Sequence, residues 1–188
     1  MYIRNISLFF IFLFLILSGC GKKQGNPDTT PVDKSNFSWS ETISADKIPD
    51  FPIKGMLNGK EFKVEYINFE LWRGSDDNVI NFSNKSPKQQ CGSFAEDDSG
   101  FRLTKKAGQF KEGTFVKDSF SATVDGIIAD FHFSLGKDNT KNTSPDWNYA
   151  LVITEINNKT VKGKIALCFK DESKSWVAGS FEAIRCNN

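Results

Sequence analysis

The chain has 188 residues, with 24 Lys and Arg against 23 Asp and Glu and a single histidine. The net charge is therefore close to zero, and no run of basic residues provides the positive surface that nucleic-acid binding needs. We accordingly expect no nucleic-acid partner. With 18 Phe and 4 Trp, the sequence holds enough apolar surface for one hydrophobic core.

The first 19 residues have the pattern of a secretory signal peptide. Arg4 precedes an apolar run from Ile6 to Leu17, and the small residues Ser18 and Gly19 follow it. This run is too short to cross the roughly 30 Å of hydrocarbon in a bilayer. We therefore predict that residues 1–19 are a signal peptide, removed from the mature protein, rather than a membrane span.

The segment ends in Leu17-Ser18-Gly19-Cys20, which resembles the lipobox of bacterial lipoproteins. The resemblance implies that the Cys20 thiol receives a diacylglycerol, that the chain is cut just before Cys20, and that the new amine is acylated. Two or three acyl chains anchor a protein stably, so the implied partner is the membrane itself. Gly21 stands where many lipoproteins of the inner membrane have an aspartate. The resemblance thus favours the outer membrane, on its periplasmic face or at the cell surface.

Residues 20–50 are predicted to form the lipidated N-terminus and a flexible tether. Three prolines occur there among Lys, Asn, Asp, Ser and Thr, and neither a two-residue nor a 3.6-residue apolar period is present. Phe37 and Trp39 interrupt this polar composition. They are either exposed aromatics or a short segment that docks on the following domain.

Residues 51–188 are predicted to form a single all-β domain. Asn58-Gly59 between two apolar stretches predicts a hairpin with a type I′ turn, because both residues accept positive φ angles. Short strands recur between polar turns, and no window has a helical period. About ten strands at this spacing indicate an antiparallel β-sandwich, immunoglobulin-like or similar, with a closed barrel as the alternative. Beyond the first hairpin and a run through residue 71, the predicted strands cover residues 79–83, 91–95, 101–105, 113–116, 120–124, 129–135, 148–155, 161–169 and 175–185.

The last predicted hairpin constrains the cysteines. Placing Lys164 opposite Glu182 pairs opposite charges and keeps the apolar residues of both strands on one face. Cys168 then lies opposite Ala178, and Cys186 lies roughly 26 Å further along that strand at about 3.3 Å per residue. This separation is too large for a bond between Cys168 and Cys186.

Three cysteines remain once Cys20 is lipidated, and an oxidising envelope favours one disulfide among them. Cys91 can pair with Cys186, which would pin the end of the last strand, or with Cys168. The first pairing is favoured. The remaining alternative leaves all three reduced and buried as small apolar groups.

The sequence offers little catalytic chemistry. His132, the only histidine, alternates with apolar residues and is predicted to face away from them into solvent. Neither a Gly-x-Ser-x-Gly nor a His-Glu-x-x-His motif occurs. We therefore predict no catalytic residue, no metal ligand, no cofactor and no enzymatic activity. The acidic turns Asp76-Asp77 and Asp97-Asp98 leave calcium binding as an alternative, although they lack the spacing that surrounds the ion.

Four aromatic residues are candidate ligand contacts. Trp72 and Trp176 lie at predicted strand ends, while Trp147 and Tyr149 follow the longest loop. Aromatic residues at such positions can stack on sugars or anchor a protein partner. The alternative is that they cap the core at its ends.

These observations predict a lipid-anchored, non-enzymatic binding or interaction module with a protein or glycan partner. The alternative is a lipocalin-like carrier of an apolar small molecule, which would need a barrel that encloses a cavity. Apart from the lipobox, the domain resembles small uncharacterised bacterial lipoproteins with β-sandwich folds.

Overall fold

A computed structural model describes residues 36–72, 74–89, 91, 97–136 and 139–186. All of these residues belong to one compact unit, Val32–Asn188. The predicted signal peptide and the predicted lipidation site Cys20 lie outside the described residues.

The chain is all-β, as predicted, and the described residues contain no α-helix. The order of elements is a 3-10 turn at Ala45–Lys47, then strands β1 Lys54–Leu57, β2 Lys60–Lys63, β3 Tyr66–Trp72, β4 Asp77–Ser83, β5 Gly100–Lys105, β6 Gly113–Lys117, β7 Ile127–Gly136, β8 Asn139–Thr143, β9 Trp147–Ile156, β10 Thr160–Phe169 and β11 Trp176–Cys186.

Three predicted elements differ from the structure or lie outside its described part. Residues 120–124 were expected to form a strand and instead form a turn, in which the N–H of Ala122 donates to the carbonyl of Ser119 at 3.3 Å. Strand β8 was expected to be part of a polar turn, because its five residues include no apolar side chain to mark it. The strand predicted at residues 91–95 lies almost wholly outside the described residues.

All eleven strands belong to one sheet, so a division into the two sheets of a sandwich is not confirmed. The order is β6-β9-β10-β11-β3-β4-β5-β7-β8, with β1 and β2 added beside β11. The sheet curls but stays open, which differs from the closed barrel considered above. It is also mixed rather than antiparallel, since β11 and β3 run parallel.

The curled sheet has two halves, which pack against each other through aromatic side chains. One half comprises β6, β9, β10 and β11 with β1 and β2, and the other comprises β3, β4, β5, β7 and β8. Phe101 of β5 stacks on Phe169 of β10 with ring centroids 5.8 Å apart, and Phe131 of β7 meets the same ring edge-on at 5.0 Å. Phe82 of β4 meets Phe181 of β11 at 5.7 Å. Burying each such side chain stabilises the fold by about 1.5–3 kcal/mol, so the core forms where the halves face each other.

The two hairpins discussed above have different outcomes. Asn58 and Gly59 have φ angles of 49° and 74°, as a type I′ turn requires. In the last hairpin, Glu182 lies opposite Lys162 rather than Lys164. The error is two residues, which leaves every side chain on its predicted face because the strand period is two.

Local turn chemistry explains that register. The Asp171 carboxylate accepts hydrogen bonds from the Ser175 N–H at 2.6 Å and the Ser175 hydroxyl at 2.8 Å, which closes the connection after β10. The pair of charges used for the prediction does not form, since Lys164 pairs instead with Asp50, and Lys162 bonds Glu155 of β9 at 3.1 Å. Cys168 therefore lies opposite Trp176 instead of Ala178.

The predicted disulfide is confirmed. Cys91 and Cys186 are bonded, with Cα atoms 5.5 Å apart, and Cys168 is free and buried. The bond lies at the joint between the two halves of the sheet. There, β11 and β3 pair over only three residues, Ile184–Cys186 against Asn68–Glu70.

Part of the predicted tether packs against the sheet. Residues 37–48, here termed the N-terminal strap, lie over the outer face of β9, β10 and β11. Ala150, Ala166 and Ala178 lie side by side there, and their small side chains leave room for the buried Ile43 and Ile48 of the strap. From composition alone these residues are predicted to be part of the tether. Their docking could not be predicted, because the surface that receives them is formed by strands that are distant in sequence.

Polar contacts fix the strap along its length. The Trp39 indole donates to the Phe169 carbonyl at 2.6 Å, and the Ile43 N–H donates to the Asp118 carbonyl at 2.8 Å. The Phe37 ring meets the Trp176 ring at 5.2 Å. Of the two possibilities stated for Phe37 and Trp39, the structure therefore shows docking on the domain.

We predict that removing the disulfide destabilises the fold. The double variant Cys91→Ser/Cys186→Ser should lower the free energy of unfolding by about 2–4 kcal/mol, because the unfolded chain loses a long-range constraint. Urea denaturation without reductant measures the change, and the wild type in reductant should show the same loss. Equal stability of oxidised and reduced protein would contradict a clamp at this joint.

The strap should also protect Cys168. Burial raises the pKa of the Cys168 thiol from 9.0 to about 12, so at pH 9 the thiolate fraction falls from one half to about one thousandth. Alkylation by iodoacetamide, followed by mass spectrometry, should thus be slow in the native protein. The Ile48→Ala variant, which thins the cover, should react faster. Native Cys168 reacting as fast as a free thiol would disprove this protection.

Candidate functional site

The structure does not bring the four predicted aromatic contacts together. Trp147 and Trp176 lie at the end of the sheet where β10 stops and β11 starts, here termed the strap end. Trp72 ends β3, which runs parallel to β11, and so lies at the opposite end. Tyr149 is buried in the core, and burial raises its pKa to about 12.

The aromatics at the strap end are largely covered by the protein itself. Trp147 packs against Tyr149 with ring centroids 5.5 Å apart, and the Lys117 ammonium lies 4.8 Å above the Trp147 ring. Trp176 is covered by Phe37 of the strap. These contacts are those of core-capping residues.

Lys117 is a buried cation that the sequence did not reveal. Its ammonium donates to the carbonyls of Ser119 at 3.2 Å and Phe120 at 3.0 Å, and to that of Trp147. Burial lowers its pKa, while the nearby carboxylates of Asp146 and Asp118 act in the opposite direction. The three carbonyls explain how the charge is tolerated, and the group holds the chain after β6 against β9.

Trp72 remains the most accessible of the four, with 36% of its surface exposed. Its indole N–H donates to Glu70 at 2.9 Å, and the Arg102 guanidinium lies 5.5 Å from its ring centroid. Arg102 in turn pairs with Asp130 at 2.8 Å. The indole N–H and the guanidinium on this surface are thus already engaged with neighbouring side chains.

The expectation of a solvated His132 is wrong. Its side chain is only 16% exposed, and Nε2 lies 2.8 Å from Oδ1 of Asp98, which is 2% exposed. The other oxygen of Asp98 accepts the Ser83 hydroxyl at 3.0 Å. Ser83 donates to the carboxylate, which is not the serine-to-imidazole contact that activates a nucleophile.

The acidic turns bind other parts of the protein. Asp77 accepts the Lys106 ammonium at 2.6 Å and the Ala107 N–H at 3.1 Å, and these bonds lower its pKa, the Lys106 bond most. The exposed Asp97 bonds Lys85 at 2.5 Å. Within the described part of the chain no group of three His, Cys, Asp or Glu side chains could hold a metal ion.

A pocket of about 400 Å³ opens at the strap end of the curled sheet. This rim pocket lies between the β1–β2 hairpin, which belongs to one half of the sheet, and the ends of β4, β5 and β7, which belong to the other. Its apolar lining is Leu57, Phe62, Phe133 and Leu135. Leu135 is 58% exposed and lies at the mouth.

The polar lining of the rim pocket is held by its own hydrogen bonds. The Ser99 N–H donates to Oδ1 of Asn84 at 2.7 Å, and the Ser134 N–H donates to Oγ of Ser99 at 3.0 Å. Asn84 Nδ2 donates to no described residue, so this amide can serve a ligand. Asn58 and the exposed, oppositely charged Lys60 and Glu61 complete the lining.

The rim pocket is linked to the strap through the adjacent residues Lys174 and Ser175. The N–H of Asn58, in the pocket, donates to the Ser175 hydroxyl at 3.0 Å. The neighbouring Lys174 ammonium lies 4.9 Å above the Trp39 ring. The pocket therefore opens at the end of the domain where the described chain begins.

Sequence reasoning missed this site because its walls come from residues 57–62, 84, 99 and 133–135, which are far apart in the chain. One signal was present. The alternating apolar residues Phe131 and Phe133 are followed by Leu135, which lies beyond the hydrophobic core and lines the pocket.

Comparison with known proteins finds no matching family model, no curated protein and no solved structure. Within the residues that the structure describes, no helix is long and apolar enough to span a membrane.

We predict that Asp98 contributes to the free energy of unfolding and that the adjacent Asp97 does not. Asp98→Ala removes the acceptor shared by Ser83 and His132 and should lower the free energy of unfolding by about 1–3 kcal/mol. The matched variant Asp97→Ala breaks only an exposed ion pair and should change the urea midpoint little. Equal effects of the two substitutions would refute a buried role for Asp98.

Proposed function

We propose that this protein is a lipid-anchored, non-enzymatic binding module of the outer membrane whose ligand occupies the rim pocket. The resemblance of Leu17-Ser18-Gly19-Cys20 to a lipobox supports the anchor at Cys20. Asn36, the first described residue, is sixteen positions after Cys20, and so short a chain spans at most about 55 Å when fully extended. An anchored domain would stay within that distance of the bilayer.

The observation that carries the binding function is the rim pocket itself. Its volume of about 400 Å³ falls within the range of small-ligand sites. It combines apolar walls with an amide and hydroxyls already set in place by hydrogen bonds. Such a lining gives a ligand both buried contact area and orientation. A glycan or a protein segment is the class of partner that we propose.

The remaining expectations are part of this proposal. The two halves of the curled sheet face each other across the core as the sheets of a sandwich would, which supports the likeness to small β-sandwich lipoproteins. The carrier alternative receives less support, because the described interior between the halves is filled by Phe101, Phe131 and Phe169. Nothing in the balanced charge favours nucleic acid.

Photocrosslinking in cells tests the proposal. In the full chain, p-benzoylphenylalanine in place of Leu135 should give covalent adducts after irradiation, and the protein should sediment with membranes. The matched control replaces Val116, which is 41% exposed but outside the rim pocket, and should give none. The Cys20→Ala variant should lose membrane sedimentation.

Two outcomes would contradict it. Membrane association that survives Cys20→Ala would remove the anchor, and adducts at Val116 equal to those at Leu135 would remove the pocket as the binding site.

A further inference from the structure

We propose that the rim pocket recognises a neutral saccharide, most simply the terminal unit of a glycan or of a glycolipid headgroup. This inference rests on the proposed function and names its ligand class. Three properties of the lining support it: the positions of its charges, the polar groups that have no partner among the described residues, and the residues that form its apolar wall.

Charge is confined to the mouth. Lys60 and Glu61 are the charged residues of the lining, both are exposed, and their charges are opposite and adjacent in sequence. The inner lining is neutral. An ionised ligand that entered would lose hydration without meeting a buried counter-charge, which disfavours phosphates, uronates and amines.

The inner lining is nevertheless polar. Among the described residues, Asn84 Nδ2 has no acceptor, and the Ser99 hydroxyl accepts from the Ser134 N–H but donates to none of them. A purely apolar ligand would exclude water from these groups and leave them unpaired, which is unfavourable. The lining therefore selects a neutral molecule that carries its own hydroxyl or amide groups.

The apolar wall supplies the complementary surface. Phe133 is partly exposed, its ring is stacked on Phe131 at 6.2 Å with an interplanar angle of 25°, and the ammonium of the exposed Lys141 lies 6.0 Å from its centroid, so both contacts restrain its orientation. A fixed aromatic face beside hydroxyl and amide groups suits a pyranose ring, whose C–H face packs on the aromatic ring while its hydroxyls bond the polar groups. Leu57 and Phe62 close the opposite side.

The position of the pocket allows two sources for such a saccharide. It opens at the strap end, where the chain comes from the proposed anchor, so a glycolipid headgroup in the same membrane is within reach. A free glycan end has the same chemistry. The experiment therefore separates these sources.

The test uses the whole ¹⁵N-labelled protein in phosphatidylcholine nanodiscs. Cellobiose, maltose and N,N′-diacetylchitobiose are added to about 20 mM, a range that detects weak binding. We expect at least one of them to shift the backbone amides of Ser99, Ser134 and Leu135. In a second arm the nanodiscs contain digalactosyldiacylglycerol; shifts in that arm that exceed those with the free sugars identify the lipid source.

Variants tie the effect to the pocket. Asn84→Asp keeps the Oδ1 acceptor for Ser99 but removes the Nδ2 donor and adds a charge, so binding should weaken about tenfold. Phe133→Leu should weaken it by removing the aromatic face. Trp72→Ala, on the opposite end of the domain, should leave it unchanged.

The proposal is overturned if neither the sugars nor the glycolipid shifts these amide signals. It is also overturned if Asn84→Asp leaves the binding affinity unchanged. A third contrary result would be that glucuronate or laurate shifts the same signals at a lower concentration than any neutral sugar. A pocket that prefers glucuronate would end the assignment to a neutral saccharide while leaving the proposed binding function intact, whereas a preference for laurate would end both and favour the carrier alternative. Loss of the Leu135 crosslink in cells would end both.

Discussion

The fold depends on a short joint between two halves of one sheet. Strands β11 and β3 pair in parallel over three residues only, and the Cys91–Cys186 disulfide lies at the same place. So few backbone hydrogen bonds would hold the halves weakly, but the covalent bond and the aromatic core between them act together. The rim pocket takes one wall from each half, so its shape depends on this joint as well.

The outer face of the sheet is covered on both halves. The strap covers β9, β10 and β11, where a row of alanines makes room for it. On the other half, all seven residues of β4 are buried. Cys91 lies near this face, since its N–H donates to the Tyr66 hydroxyl at 3.1 Å. The buried Asn81 amide donates to Oδ1 of Asn68 at 2.7 Å, which gives that buried oxygen a partner.

The sequence predicted what local pattern determines. The all-β class follows from the two-residue alternation, and the Asn58-Gly59 turn follows from backbone preferences. The length of one strand excluded a bond between Cys168 and Cys186, even though the assumed register was wrong by two residues. The pairing of Cys91 with Cys186 was favoured over Cys168 only because it would pin the end of the last strand. The all-β class and the turn require only neighbours along the chain or across one hairpin.

Features that depend on distant residues were not predictable. The docking of Ile43 and Ile48 needs the alanine row of three strands, and Asp98 finds His132 across 34 positions of sequence. The strand β8 has no apolar signal because an edge strand need not bury a side chain. The rim pocket is the clearest case, since no single segment contains it and only the curl of the sheet assembles it.

One measurement tests most directly whether the joint positions the pocket. Spin labels attached through p-acetylphenylalanine at Lys60 and Leu135, on opposite walls, report the separation of the two halves by pulsed electron resonance. The account predicts one narrow distance distribution in the oxidised protein and a broader one after the Cys91–Cys186 bond is reduced. A distribution that stays narrow and unchanged on reduction would contradict it.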